Sequence, residues 1–103
     1  MRFLYDPRKD ALNKTKHGLS LNLAHNVFND PHVIITYDRH GNGEHRYHAT
    51  ARVGSKFLLL VHGYPDPDDE DCVRAISLRE ATSRERRYYE RREDDILGKK
   101  APH

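Results

Sequence analysis

The chain reads as an α+β domain, a small antiparallel sheet packed against two N-terminal helices and a C-terminal helix in the order β-α-α-β-β-β-β-α. Three observations predict this. Apolar residues recur at helical spacing before Pro31, alternate from His32 to Leu78, and give way to a Thr-x-x-Glu capping signature at Thr82 and Glu85. Connections are short, which favours antiparallel neighbours. A chain of 103 residues holds one core and not two. Residues 1–97 are therefore expected to form a single domain, and 98–103 (GKKAPH) a disordered tail.

Arg2 to Tyr5 reads as a first strand. Asp6-Pro7 opens a helix, because the carboxylate accepts from first-turn amides and proline there gives up no hydrogen bond. Ala11 and Leu12 are expected to face the core, and Gly18 is a natural left-handed stop. Ser20 restarts a helix on Leu21, Ala24, Val27 and Phe28, which ends at Asp30-Pro31. Then come a strand at His32 to Asp38, a glycine-bearing turn, and a strand at Glu44 to Val53. Phe57 to Tyr64 is the most apolar run and is placed centrally. An acidic loop leads into a last strand, Cys72 to Leu78. The final helix is expected to begin near Ser83, with Tyr89, Arg92 and Ile96 as its inward stripe.

The 18 basic and 16 acidic residues nearly cancel, but they are unevenly placed. Asp66, Asp68, Asp69, Glu70 and Asp71 crowd into one loop. Residues 74–92 carry seven arginines against three glutamates, and that much guanidinium beside two tyrosines points to a surface that meets phosphate. No apolar run approaches the roughly 20 residues of a membrane span, and the first residues lack the apolar core of a secretion signal. Cys72 is the sole cysteine, so no intrachain disulfide forms; a reducing compartment, the cytoplasm, fits.

In the Glu44–Val53 strand, Tyr47, Ala49, Ala51 and Val53 alternate with Glu44, Arg46, His48, Thr50 and Arg52. One face is thus core and the other is expected to hold only polar groups. His62, at an even position of the next strand, is expected to share that polar face with His48 and Arg52, and its ordinary pKa suits acid–base work. His40, His45 and His48 do not make a zinc site, since His45 and His48 alternate across the strand and no cysteine partner is near. No metal or cofactor is expected.

Many of these residues resemble the BrnT family of toxins from bacterial type II toxin–antitoxin systems, small ribonucleases with a RelE-like fold. The resemblance rests on Asp6-Pro7, Lys9, Asn13, Lys16-His17-Gly18, Ser20, Ala24, Val27-Phe28 and Asp30-Pro31 at the front. It continues through Asp38, His40, Glu44 and Arg46, and ends in Val73-Arg74, Ile76-Ser77, Arg79, Ala81-Thr82, Glu85-Arg86-Arg87 and Tyr89-Glu90. The chain departs from the family pattern at Tyr5, Asn22-Leu23, Ala51, Ala75 and Leu78.

The resemblance implies an endoribonuclease that needs no metal. Its 2′-hydroxyl attack must be helped by a base, its transition-state charge held by fixed guanidinium groups, and its leaving oxygen protonated. Arg46, Arg74 and Arg79 match the family motif and are expected to hold phosphate; Glu44 is a base or orients Arg46, and His62 is an acid–base candidate. Arg52, His48, Arg86, Arg87 and Tyr89 are expected to contact RNA, a tyrosine by stacking. The implied partner is a BrnA-like, DNA-binding antitoxin, through which alone operator DNA would be met, with the acidic loop as a docking charge. The alternatives are an inactive RNA- or protein-binding module of the same fold, and a structural component of an antitoxin–DNA complex.

Overall fold

In the computed structural model the described residues are 1–41 and 44–97, with side chains described for all of these except 40 and 93–97. The element order is β1 (Arg2–Leu4), α1 (Pro7–His17), a 3₁₀ turn (Leu21–Leu23) running into α2 (Ala24–Asn29), β2 (Ile34–Gly41), β3 (Glu44–Val53), β4 (Lys56–Gly63), β5 (Cys72–Glu80) and α3 (Ser83–Leu97). The caps are those the sequence announces. Asp6 Oδ1 accepts from Arg8 N at 2.8 Å, Gly18 closes α1 at φ 70°, and Ser20 Oγ accepts from Asn22 N at 3.2 Å. Thr82 and Glu85 form the reciprocal capping box: Thr82 N donates to Glu85 Oε1 at 2.8 Å and Glu85 N to Thr82 Oγ1 at 3.2 Å. The expected disordered tail, 98–103, lies outside the described residues, as does the Ile96 side chain.

The described strands form one five-stranded sheet in the order β1-β5-β4-β3-β2, with β4 at the centre as expected. The sheet is mixed rather than wholly antiparallel. β1 runs parallel to β5, pairing Arg2 to Leu4 with Cys72 to Arg74, while the other pairings are antiparallel. A three-residue strand followed by two helices cannot make a hairpin, so it joins the far edge of the sheet through a crossover.

The main core lies between the sheet and α1–α2. Ala49, Ala51, Leu58, Leu60, Ala75 and Leu78 meet Leu19, Leu21, Ala24 and Val27 there. Ala11 and Leu12 do not join it: both are exposed, Leu12 at 68%. The buried residue of α1 is Asn13, whose amide nitrogen donates to Leu19 O and Leu78 O at 2.8 Å and whose oxygen accepts from Leu78 N at 3.0 Å. An asparagine that satisfies both groups of one edge residue stands in for a missing strand.

The opposite face is not purely polar, as alternation in β3 alone implied. β4 presents Phe57 and Leu59 to it, and α3 covers that end. Tyr89 is 1% exposed, meets the Phe57 ring edge-on at 5.6 Å, and donates to Asp30 Oδ2 at 2.6 Å. The Arg52 guanidinium lies 5.1 Å from the Phe57 ring and 5.9 Å from the Tyr89 ring, and that of Arg86 lies 4.4 Å from Phe57. Arg92, expected inward, is exposed. No described helix is long and apolar enough to cross a membrane.

Candidate active site

Two bulges decide which side chains share the outer face. On β5 the pairs Leu59–Arg79 and Val61–Ser77 are followed by His62–Ala75 and Gly63–Arg74, so Ile76 is an extra residue. Plain alternation would send Arg74 and Arg79, five positions apart, to opposite faces. The inserted residue returns them to the same one, together with Ser77. On β3, Thr50 pairs with Leu59 and His48 with Val61; Arg46, two residues on, continues the same face. On β2 the register shifts between Tyr37 and Arg39, leaving Asp38 as the extra residue. Its carboxylate lies 3.4 Å from His48 Nε2 and 3.5 Å from Arg39 Nε.

Arg46, His48, Arg74 and Arg79 are thus gathered on the face opposite α1–α2, and their states differ. The Arg46 Nε is buried without a hydrogen-bond acceptor among the described residues. Arg74 is about half exposed and makes one long contact, 3.5 Å from its Nε to Glu44 Oε1. Gly63 lies below that carboxylate: a Cβ there would come within 2.7 Å of Glu44 Oε1 and 3.1 Å of His45 O. Glycine at this position leaves room for the Glu44 carboxylate to lie over the strand beside Arg74.

Arg79 is engaged differently. Its two terminal nitrogens donate to Glu85 Oε1 and Oε2 at 2.8 and 3.0 Å, and one also donates to Glu80 O at 3.1 Å. The Arg79 hydrogen bonds hold the Glu85 carboxyl down at about 2, and the same pairing raises the Arg79 pKa. This fork joins the end of β5 to the first turn of α3. Beside it, a groove of about 270 Å³ is lined by Thr36, His48, Thr50, Arg84, Glu85 and Tyr88.

Several expected placements are corrected. His62 pairs directly with Tyr47 and so faces the core, opposite to His48 and Arg52. It is fully buried among the rings of Phe28 (5.2 Å), Tyr47 (5.8 Å) and Tyr64 (5.4 Å). Its Nε2 lies 3.3 Å from Tyr64 Oη, and its Nδ1 has no partner among the described residues. Burial brings its pKa down to about 4, which keeps the ring neutral near pH 7. Tyr89, expected to contact RNA, is the buried member of its pair, and Tyr88 is the half-exposed one that is free to stack. Arg52 and Arg86 lie over Phe57 and help to seat α3, while Arg87 is exposed on the same helix. Asp38 and Arg84, not among the expected candidates, stand beside His48 and in the groove, and Tyr88 lines that groove too. The signal for the last two is the capping box, since a helix starting at Ser83 puts 84, 85 and 88 on one side.

Among the described residues, no group of three or more histidine, cysteine and acidic side chains is placed to hold a metal ion. The face carries guanidinium groups, a carboxylate 3.5 Å from that of Arg74, and an imidazole 3.4 Å from a second carboxylate. Side chains of these types have the chemistry to pair with a phosphodiester and to move a proton beside it. No curated protein matches the chain at a significant level. A family model does, over residues 5–85: that of the ribonuclease toxin BrnT of type II toxin–antitoxin systems. With its fold and most of its length accounted for, the chain belongs to the BrnT family of ribonuclease toxins.

Proposed function

We propose that this protein is an endoribonuclease toxin that cleaves RNA by attack of the ribose 2′-hydroxyl on the adjacent phosphorus. It needs no metal, it acts in the bacterial cytoplasm, and it inhibits translation and growth until a cognate, BrnA-like antitoxin with a DNA-binding part neutralises it. The observation that carries the reading is the gathering of Arg46, His48 and Arg74 on one sheet face, with His48 held by Asp38 at 3.4 Å. Arg46 and Arg74 grip the non-bridging phosphate oxygens and hold the charge that develops in the transition state. Glu44, beside Arg74, or His48 takes the 2′-hydroxyl proton. The P–O5′ bond breaks as the O2′–P bond forms, and protonated His48 delivers the proton to O5′. The products are a 2′,3′-cyclic phosphate and a 5′-hydroxyl. Arg79 acts through Glu85, fixing α3 so that Arg84 and Tyr88 line the path of the strand. DNA lacks the internal nucleophile and is not cut.

The test is cleavage of a short RNA by the purified protein in excess chelator, with the ends of the products identified. A cyclic phosphate from RNA, and no cleavage of the all-deoxy strand, are expected. Cleavage that disappears with chelator, or that also cuts the deoxy strand, refutes the mechanism. Induced expression that neither slows growth nor degrades transcripts refutes the toxin reading.

A further inference from the structure

On the other side of the sheet a cavity of about 450 Å³ opens between β2, the first residues of β3 and the acidic loop. The rings of Tyr47 and Tyr64 form its walls at 5.3 Å and 68° to each other, closed by Pro65 and Pro67. Tyr37, 55% exposed, packs edge-on to Tyr47 at 5.5 Å and extends the aromatic surface outward. Two carboxylates, Glu44 and Glu70, and the His45 ring stand at the wall; Glu44 is already engaged with Arg74, 3.5 Å away. Glu70 makes no hydrogen bond or ion pair with another described residue. Burial and then the nearby Glu70 carboxylate push the Tyr64 phenol up, so that ring stays neutral and its π face intact.

The loop that carries Glu70 is built rather than loose. Asp68 N donates to Asp66 Oδ1 at 2.9 Å and Asp71 N to Asp69 Oδ1 at 3.0 Å, two successive turns that fix the prolines against the tyrosines. Tyrosine faces with carboxylates at the rim attract a planar cation, by the ring quadrupole and by ion pairing together. A nucleic-acid backbone is repelled by Glu70 and the loop aspartates beside it, and a purely apolar side chain would leave Glu70 unmatched.

We propose that this Tyr47–Tyr64 pocket is a docking site for an arginine side chain of a protein partner, with Glu70 as its counter-charge. This stands apart from the ribonuclease reading, because it requires neither cleavage nor RNA. The neighbouring acids, Asp66 and Asp68, favour a basic stretch around that arginine.

The probe is the peptide acetyl-Gly-Arg-Gly-amide titrated into the isotope-labelled protein. Its counterpart with neutral citrulline in place of arginine is run in parallel. The arginine peptide is expected to shift the Tyr47, Tyr64 and Glu70 resonances saturably, with a Kd on the order of millimolar, while the citrulline peptide does not. Glu70→Gln, at an exposed position that leaves the fold alone, should weaken binding about threefold, and Tyr64→Leu should abolish it. Should Tyr64→Leu lose its folded spectrum, Glu70→Gln and the citrulline control carry the test. Equal binding of both peptides overturns the proposal. So do shifts confined to the aspartates of the loop, or a short RNA that shifts the same tyrosine resonances.

Discussion

Arg79 and Arg74 stand on one strand, face the same way and each meet a glutamate, but their hydrogen bonding differs. Arg79 spends its planar fork on both oxygens of Glu85 and on a backbone carbonyl. Arg74 is half exposed with a single 3.5 Å contact to Glu44, and Arg46 keeps a buried Nε with no acceptor among the described residues. A saturated guanidinium ties helix to sheet, whereas an under-committed one has hydrogen-bonding capacity left for a phosphate. The difference shows that a motif match locates an arginine without telling whether it reacts or braces.

The strongest way to break this contrast is Arg46→Ala. It should lower RNA cleavage about 10²–10³-fold with an unchanged thermal midpoint; a fall in activity only in step with lost stability would make Arg46 structural. Next is His62→Phe, which should leave cleavage within about threefold and remove one acid-sensitive component of stability. The unfolded histidine protonates near 6.5 and the folded one only near 4. The unfolded chain therefore binds the extra proton in that window. The stability that wild type holds above pH 6.5 is lost as pH falls from 6.5 to 4, by about 2–3 kcal/mol. Chemical denaturation at several pH values reads this, and loss of cleavage in a folded His62→Phe protein would return His62 to the chemistry.

Arg79→Ala should cost about 1–2 kcal/mol of stability and less than about tenfold in cleavage, the reverse of the Arg46 pattern. Equal losses of cleavage in the two variants would erase the distinction. The smallest effect is expected from Glu85→Gln. The folded carboxyl sits at about 2, below its ordinary 4.5, so its contribution is present above pH 4.5 and fades as pH falls toward 2. After allowance for partial exposure this is about 1 kcal/mol, and the variant should flatten that acid limb. An unchanged limb would mean that the Arg79–Glu85 fork stabilises nothing.

Much of the fold was legible because its signals are local. Asp6, Gly18, Ser20 and the Thr82–Glu85 box act on amides a few residues away, and they placed the helices within a residue or two. The parallel pairing of β1 with β5 was not legible, since nothing in Arg2 to Leu4 names a partner seventy residues on. Leu12 misled because an apolar residue at helical spacing implies burial, while the position that reaches the sheet belongs to Asn13, chosen for hydrogen bonds. The site divides along the same line. Arg46 and Arg74 carry a recognisable pattern, but bulges at Ile76 and Asp38 set the phase of their faces, and a bulge leaves no mark in residue type. For His62, even-position counting failed because the phase of β4 follows its pairing to β3, not its number.

The N-terminal strand also has a consequence in time. Residues 2–4 find their place only beside 72–74, Asn13 only at Leu78, and Asp30 takes its tyrosine hydrogen bond from Tyr89. Contacts of such separation close slowly and only after the later residues exist. A chain growing on the ribosome therefore cannot finish the sheet until residues 72–89 have left the exit tunnel. Because its first residues wait for partners some sixty to seventy positions on, the domain folds as one late event rather than in stages.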